Sequence, residues 1–140
     1  MYIPQIPDNK FSEKIKKLVS MCLQLEEIDE SDFSDAITCE ELEMWENTNQ
    51  INIPDSYKEW LLFSKSNCIF GTLAEFYMPV QDKHVPEEYM TIGTLVGDGE
   101  RLCFEKASGD IIRYNHGEIS RISDFEQIID WLIYMLSMQL

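Results

Sequence analysis

IPDSYKEWLLFSKSNCIFG, residues 53–71, joins two kinds of hydrophobic pattern. Pro54 suits the first turn of a helix, because the N–H it lacks would have no partner there. Asp55 adds negative charge where the helix dipole favours it. Tyr57, Trp60, Leu61 and Ser64 then fall close to one face, broadened by Leu62 and Phe63. Lys65 to Asn67 form a polar turn that ends the helix. From Cys68 the period changes. CIFGTLAEFYMP reads as a strand, or as two short extended pieces broken by Gly71 and closed by Pro79. The stretch has no histidine and no nucleophile beside a base, so it reads as architecture that delivers an apolar helix face to a sheet.

Upstream, Phe11, Ile15, Leu18, Cys22 and Leu25 recur at steps of four and three, which predicts an amphipathic helix over 11–25. Residues 26–38 form an acidic connecting segment with little periodicity, a loop or a short frayed helix. Thr38 with Glu41 makes a capping box, placing an acidic helix over 39–48 with Leu42 and Trp45 as its narrow apolar face. Downstream of a polar loop at 80–88, YMTIGTLV, RLCFEK, DIIRYN and EISRIS are short extended segments. Turn signals separate them at GDGE (97–100), ASG (107–109) and HG (116–117), which argues hairpins. Ser123 and Glu126 suggest a second capping box. Phe125, Ile128, Ile129, Leu132, Met135 and Leu136 line a closing helix. The expectation is one α+β domain over 1–140: an antiparallel or mixed sheet packed against N-terminal helices and a C-terminal helix. Residues 1–10 are an extended N-terminal segment.

Charge limits the functions open to the chain. Eleven Lys and Arg stand against 26 Asp and Glu, a formal net charge of −15. Residues 26–49 alone hold ten acids and no Lys or Arg. Nucleic-acid binding needs cationic side chains to neutralise phosphate, so a direct nucleic-acid partner is not expected. On composition alone the acids read either as charge that keeps a small protein in solution or as a surface that steers a basic protein. The cysteines at 22, 39, 68 and 103 have no CxxC spacing and read as reduced thiols. MYIPQIPDNKF places prolines where a leader would need an apolar core, and IIDWLIYML is too short to span a bilayer. A cytoplasmic location without membrane association is the expectation.

The sequence carries few signs of catalytic chemistry. GDGE contains GxG but lacks both the third fingerprint glycine and a Walker lysine, and it reads as a turn. His84 and His116 lie 32 residues apart, neither in a metal-binding motif, and nothing in the sequence places them together. No GxSxG elbow occurs. No enzyme activity, cofactor or metal is expected. Trp60 and Trp131 read as core residues, whereas Trp45, on an acidic helix with few other apolar residues, reads either as a further core residue or as an aromatic anchor rimmed by carboxylates.

INIPDSYKEWLLFSKSNCIFG (51–71) resembles the corresponding segment of the SUKH superfamily, which includes bacterial immunity proteins and relatives of a yeast cell-wall regulator. TIGTLVGDGERLCFEKASGDIIRYNHGE (91–118) is similar to the family's isoleucine–glycine strand and the turns that follow it. SDFEQIIDWLI (123–133) resembles its phenylalanine-led final helix, so the likeness covers roughly 38–136. The chain departs from the family in having Ser66-Asn67-Cys68 where Asn-Gly is frequent. Pro54, Tyr57, Trp60, Ile92, Gly93, Asp98, Gly99 and Phe125 match pattern positions of an architectural kind. The resemblance implies a non-catalytic immunity protein that occludes a cognate toxin, frequently a nuclease and therefore basic. The expected contacts are Glu40, Glu41, Glu43, Trp45 and Glu46, supplemented by Asp29, Glu30, Asp32 and Asp35. The alternative is an intracellular interaction or regulatory module with no toxin partner. The outer face of the sheet is a second candidate surface, and either a monomer or a homodimer fits.

Overall fold

Leu102 and Phe104 of one strand point into the main core while Cys103 between them points the other way, and that alternation organises the whole molecule. The computed structural model describes residues 1–97 and 99–140; Asp98, one of the pattern positions, lies outside them. In chain order the elements are α1 (Ser12–Gln24), β1 (Asp32–Phe33), α2 (Cys39–Asn49), α3 (Asp55–Leu61), β2 (Asn67–Ile69) and β3 (Ala74–Val80). β4 (Tyr89–Leu95), β5 (Glu100–Glu105), β6 (Ile111–Asn115), β7 (Glu118–Ile122) and α4 (Glu126–Ser137) follow. The seven strands form one sheet in the order β1 to β7, each neighbouring pair antiparallel. The fold is therefore a single α+β domain whose sheet packs against α1 and α4, and among the described residues no strand pair is parallel. No described helix is long and apolar enough to cross a membrane.

The stretch at 53–71 does build the junction between helices and sheet. Tyr57, Trp60 and Leu61 of α3 are fully buried. Trp60 meets Phe63, Phe76 and Phe125 at centroid distances of 5.5, 5.7 and 5.6 Å, an aromatic cluster shared by α3, β3 and the entry to α4. Ser56 Oγ accepts the Phe125 N–H at 3.0 Å, tying the start of α4 to α3. The Gly93 backbone lies so close to β3 that a Cβ there would come 2.3 Å from the Glu75 carbonyl oxygen.

Several local expectations are corrected. α3 ends at Leu61, earlier than the polar turn, because Phe63 and Ser64 return their N–H groups to the Trp60 carbonyl; Asn67 already belongs to β2. Pro79 does not close β3 but lies within it, where the register shifts between Phe76 and Val80. Proline has no ladder N–H to lose, so an irregular stretch suits it. Ser123 does not cap α4: Asp124 Oδ1 accepts the Glu126 N–H at 3.0 Å instead. The connecting segment contains a strand as well as loop, since Phe33 is buried against Phe63 at 5.3 Å while β1 pairs with β2. Trp131 is half-buried, with the Arg113 guanidinium 5.2 Å from its ring centroid, and not a core residue like Trp60.

A smaller cluster forms on the sheet face turned away from the helices. Val85, Tyr89, Cys103 and Ile112 pack there with Tyr114, so the loop at 81–88 lies across that face.

Candidate functional site

α2 starts as the capping box predicts. The Glu41 N–H donates to Thr38 Oγ1 at 3.1 Å, and the Thr38 N–H donates to Glu41 Oε1 at 3.2 Å. Gln50 ends the helix in a left-handed conformation, φ 55°. Leu42 is its buried residue and Trp45 is half-buried against the core, while Met44 is 70% exposed. Met44 is a feature that sequence reasoning missed: an apolar side chain turned outward beside Trp45. The two share a shallow hollow of about 300 Å³ with Glu41, Thr48 and Asn49.

The four carboxylates of α2 divide into two kinds. Glu46 Oε2 accepts the Ile53 N–H at 2.7 Å and lies 3.2 Å from Lys58 Nζ, so Glu46 links α2 to α3. Glu41 closes the capping box and lies 3.6 Å from Lys65; the Thr38 backbone bond above all holds its carboxyl below the usual range. Glu40 and Glu43 are exposed and make no ion pair among the described residues. Two of the four are thus occupied by the fold, and two face solvent.

The connecting segment is distributed similarly. Asp29 Oδ1 accepts the Glu30 N–H at 2.9 Å, and the Glu30 carbonyl accepts from Gly71 at 2.6 Å, fastening both to the end of β2. Asp32 is exposed opposite Cys68 at the sheet edge. Asp35 accepts the Tyr2 hydroxyl at 2.5 Å, and this bond raises the Tyr2 phenol above its usual range. The Asp35 carbonyl also accepts from Lys65 N at 3.0 Å, so Asp35 and Glu41 meet on either side of Lys65. The ten-acid run is therefore not one sheet of unpaired charge. Among the described residues the carboxylates of Glu26, Asp29, Asp35, Glu41 and Glu46 have partners within the fold, and the other five do not.

The outer face at β5–β7 holds what spacing alone does not reveal. His84, Gly99, Arg101, Tyr114, His116 and Gly117 line a single pocket of about 340 Å³. Asp82 orders it from behind: its Oδ2 accepts Arg101 Nε at 2.7 Å and its Oδ1 accepts the His84 N–H at 2.8 Å. The Arg101 bond, then the His84 bond, hold the Asp82 carboxyl below its usual range. Part of this convergence was legible. In a meander the 97–99 and 116–117 turns must fall at the same end of the sheet. The 81–88 loop belongs to the opposite end, and His84 arrives only because Val85 carries that loop across the sheet.

Elsewhere surface charges pair into small ion clusters, Lys14 with Glu126 and Asp130, and Arg121 with Glu105 and Asp110. Burial pushes the Cys103 thiol up to about 11 and raises Cys22 as well, so neither presents a thiolate near neutral pH. Among the described residues no group of three or more His, Cys, Asp or Glu could hold a metal ion. No family model matches the chain, and no curated protein matches its sequence.

Proposed function

We propose that the chain is a SUKH-type immunity protein, acting in the cytoplasm, that neutralises a basic toxin domain, such as a nuclease, by stoichiometric occlusion. The reading is non-catalytic. The observation that carries it is the outward side of α2, where Met44 is 70% exposed beside the half-buried Trp45 and Glu40 and Glu43 remain unpaired among the described residues. An apolar anchor supplies affinity once desolvated, and flanking carboxylates speed the approach of a cationic surface. The SUKH-like order of motifs over 38–136 supports the same reading.

The testing experiment is a tagged pull-down from native lysate at low and moderate salt, followed by reconstitution with the purified captured domain. A near-stoichiometric complex with one basic domain, whose toxic activity falls to background at a one-to-one ratio, supports the proposal. Recovery of a housekeeping complex instead favours a regulatory module that uses the same surface. A captured toxin that stays active in the complex overturns neutralisation.

A further inference from the structure

We infer that the pocket on the outer face at β5–β7 is a receptor for a phosphoryl group, free or carried on a small ester. Its lining is a donor set drawn from separate parts of the chain: Arg101 from β5, Tyr114 from β6, His116 from the β6–β7 turn and His84 from the loop crossing the sheet. No carboxylate is among the described residues lining it. Both histidines of a 140-residue chain converge there, in a protein whose net charge is −15.

The geometry favours an oxyanion over other ligands. Arg101 and Tyr114 face each other directly across β5 and β6, so the guanidinium and the phenol rise side by side from the same sheet face. Asp82 holds Arg101 through Nε, and the opposite edge of the guanidinium turns toward the pocket rim. A Cβ on Gly99 would stand 4.0 Å from Arg101 Nη1. A guanidinium held this way is a preorganised fork for phosphate oxygens. At the same time Asp82 grips the His84 backbone, so one carboxylate, its side chain 16% exposed, positions two pocket walls without lining the pocket itself. On the far wall, His116 and Gly117 form the two-residue turn with φ 51° and 90°, the combination a tight hairpin requires. A Cβ on Gly117 would meet nothing within 4 Å, which leaves that rim open to a ligand.

Asp82 offsets the charge of Arg101, while among the described residues the other guanidinium N–H groups make no hydrogen bond, so the site recognises an oxyanion by directed donors more than by net charge. Asp32, on β1, lies four strand spacings from β5, about 19 Å, beyond the screening length of about 8 Å at physiological salt. At about 340 Å³ the pocket holds more than one phosphate, so an ester's organic part can lie along Tyr114. This assignment is independent of the toxin-binding surface on α2.

The test is a histidine-selective ¹H–¹³C titration of the full chain with inorganic phosphate and, separately, with adenosine monophosphate. Sodium chloride at matched ionic strength is the control. Only two imidazoles contribute, and the His84→Gln and His116→Gln variants assign them. The expected result is saturable movement of both signals with phosphate and none with chloride. Tighter binding of the nucleotide marks an ester site; equal binding marks a site for free phosphate. Arg101→Lys, whose single ammonium is taken by Asp82, should weaken binding about tenfold or more, whereas Arg113→Lys, on the helix side of the sheet, should leave it unchanged. Should Arg101→Lys disturb folding, loss of phosphate binding in His84→Gln or His116→Gln carries the same expectation. Signals that stay still, or that follow chloride and phosphate alike, overturn the assignment.

Discussion

Tyr57 of α3 donates its hydroxyl proton to the Tyr77 carbonyl of β3 at 2.6 Å, and the Ile92 carbonyl of β4 lies 3.2 Å from the same oxygen. One phenol thus joins a helix to two adjacent strands at a point with no solvent access. Tyr57→Phe keeps the ring against Phe125, 4.9 Å away, but leaves buried carbonyls without their donor. The expected loss is about 1–3 kcal/mol, read as a lower urea midpoint with an unchanged slope.

Gly93 makes a sharper case. A methyl group there would have to displace backbone, the Glu75 carbonyl at 2.3 Å, as well as the Phe76 ring at 2.7 Å. Phe76 belongs to the aromatic cluster with Trp60 and Phe125, so the ring has little room to yield. Gly93→Ala should cost about 3 kcal/mol by forcing β3 and β4 apart. Thermal unfolding would show it, against Gly109→Ala, where a Cβ meets no atom within 4 Å, though φ 77° adds a smaller backbone strain.

These two residues also show where the sequence was readable. The helical spacing of Tyr57 and Trp60 located a buried face correctly, because burial on a helix repeats along the chain. Turn residues between extended segments likewise specified the β4–β7 meander, since each hairpin is local. β1 was not legible: two residues are too few to show a period, and their strand character comes from Cys68 and Asn67 far along the chain. At the candidate sites the limit was partnership. Composition marked Glu46 and Glu43 as equivalent, yet only Glu46 meets the Ile53 N–H and Lys58. Met44 looked like any helix residue until Leu42 and Trp45 took the inward side.

The outer face predicts how stability falls in alkali. Burial, with Glu75 next, pushes the Tyr77 phenol up to about 12, and burial pushes the Cys103 thiol up to about 11. Both are neutral when protonated, and folding holds the proton more tightly than the unfolded chain does. Their stabilisation is therefore intact below about pH 9, where the unfolded thiol begins to ionise, and is lost as pH rises toward 11 and 12. Urea midpoints measured from about pH 8 to 12 should decline across that window. Cys103→Ala should make the lower part of the decline shallower and Tyr77→Phe the upper part, the remainder coming from groups such as Cys22 and Tyr57, which burial also raises; a flat wild-type profile would contradict both assignments.

The division of labour on α2 predicts that its carboxylates separate by experiment. Glu46→Ala leaves the Ile53 N–H without its acceptor and Lys58 without one partner, a loss of about 1–2 kcal/mol in folding. Thr38→Ala removes the cap at the start of the helix and should cost about 1 kcal/mol. Glu43→Lys breaks no described contact, so its unfolding free energy should stay within about 0.5 kcal/mol of the wild type, whereas Glu40→Lys sets a cation in the first turn of α2 and should cost up to about 1 kcal/mol. If the proposed basic partner docks here, that same pair should slow association most strongly at low salt, because rim charges act on the approach more than on the lifetime of a complex. Met44→Ala should do the reverse, shortening the lifetime of the complex with little effect on the association rate. Equal effects of all these changes on association would move the docking surface away from α2.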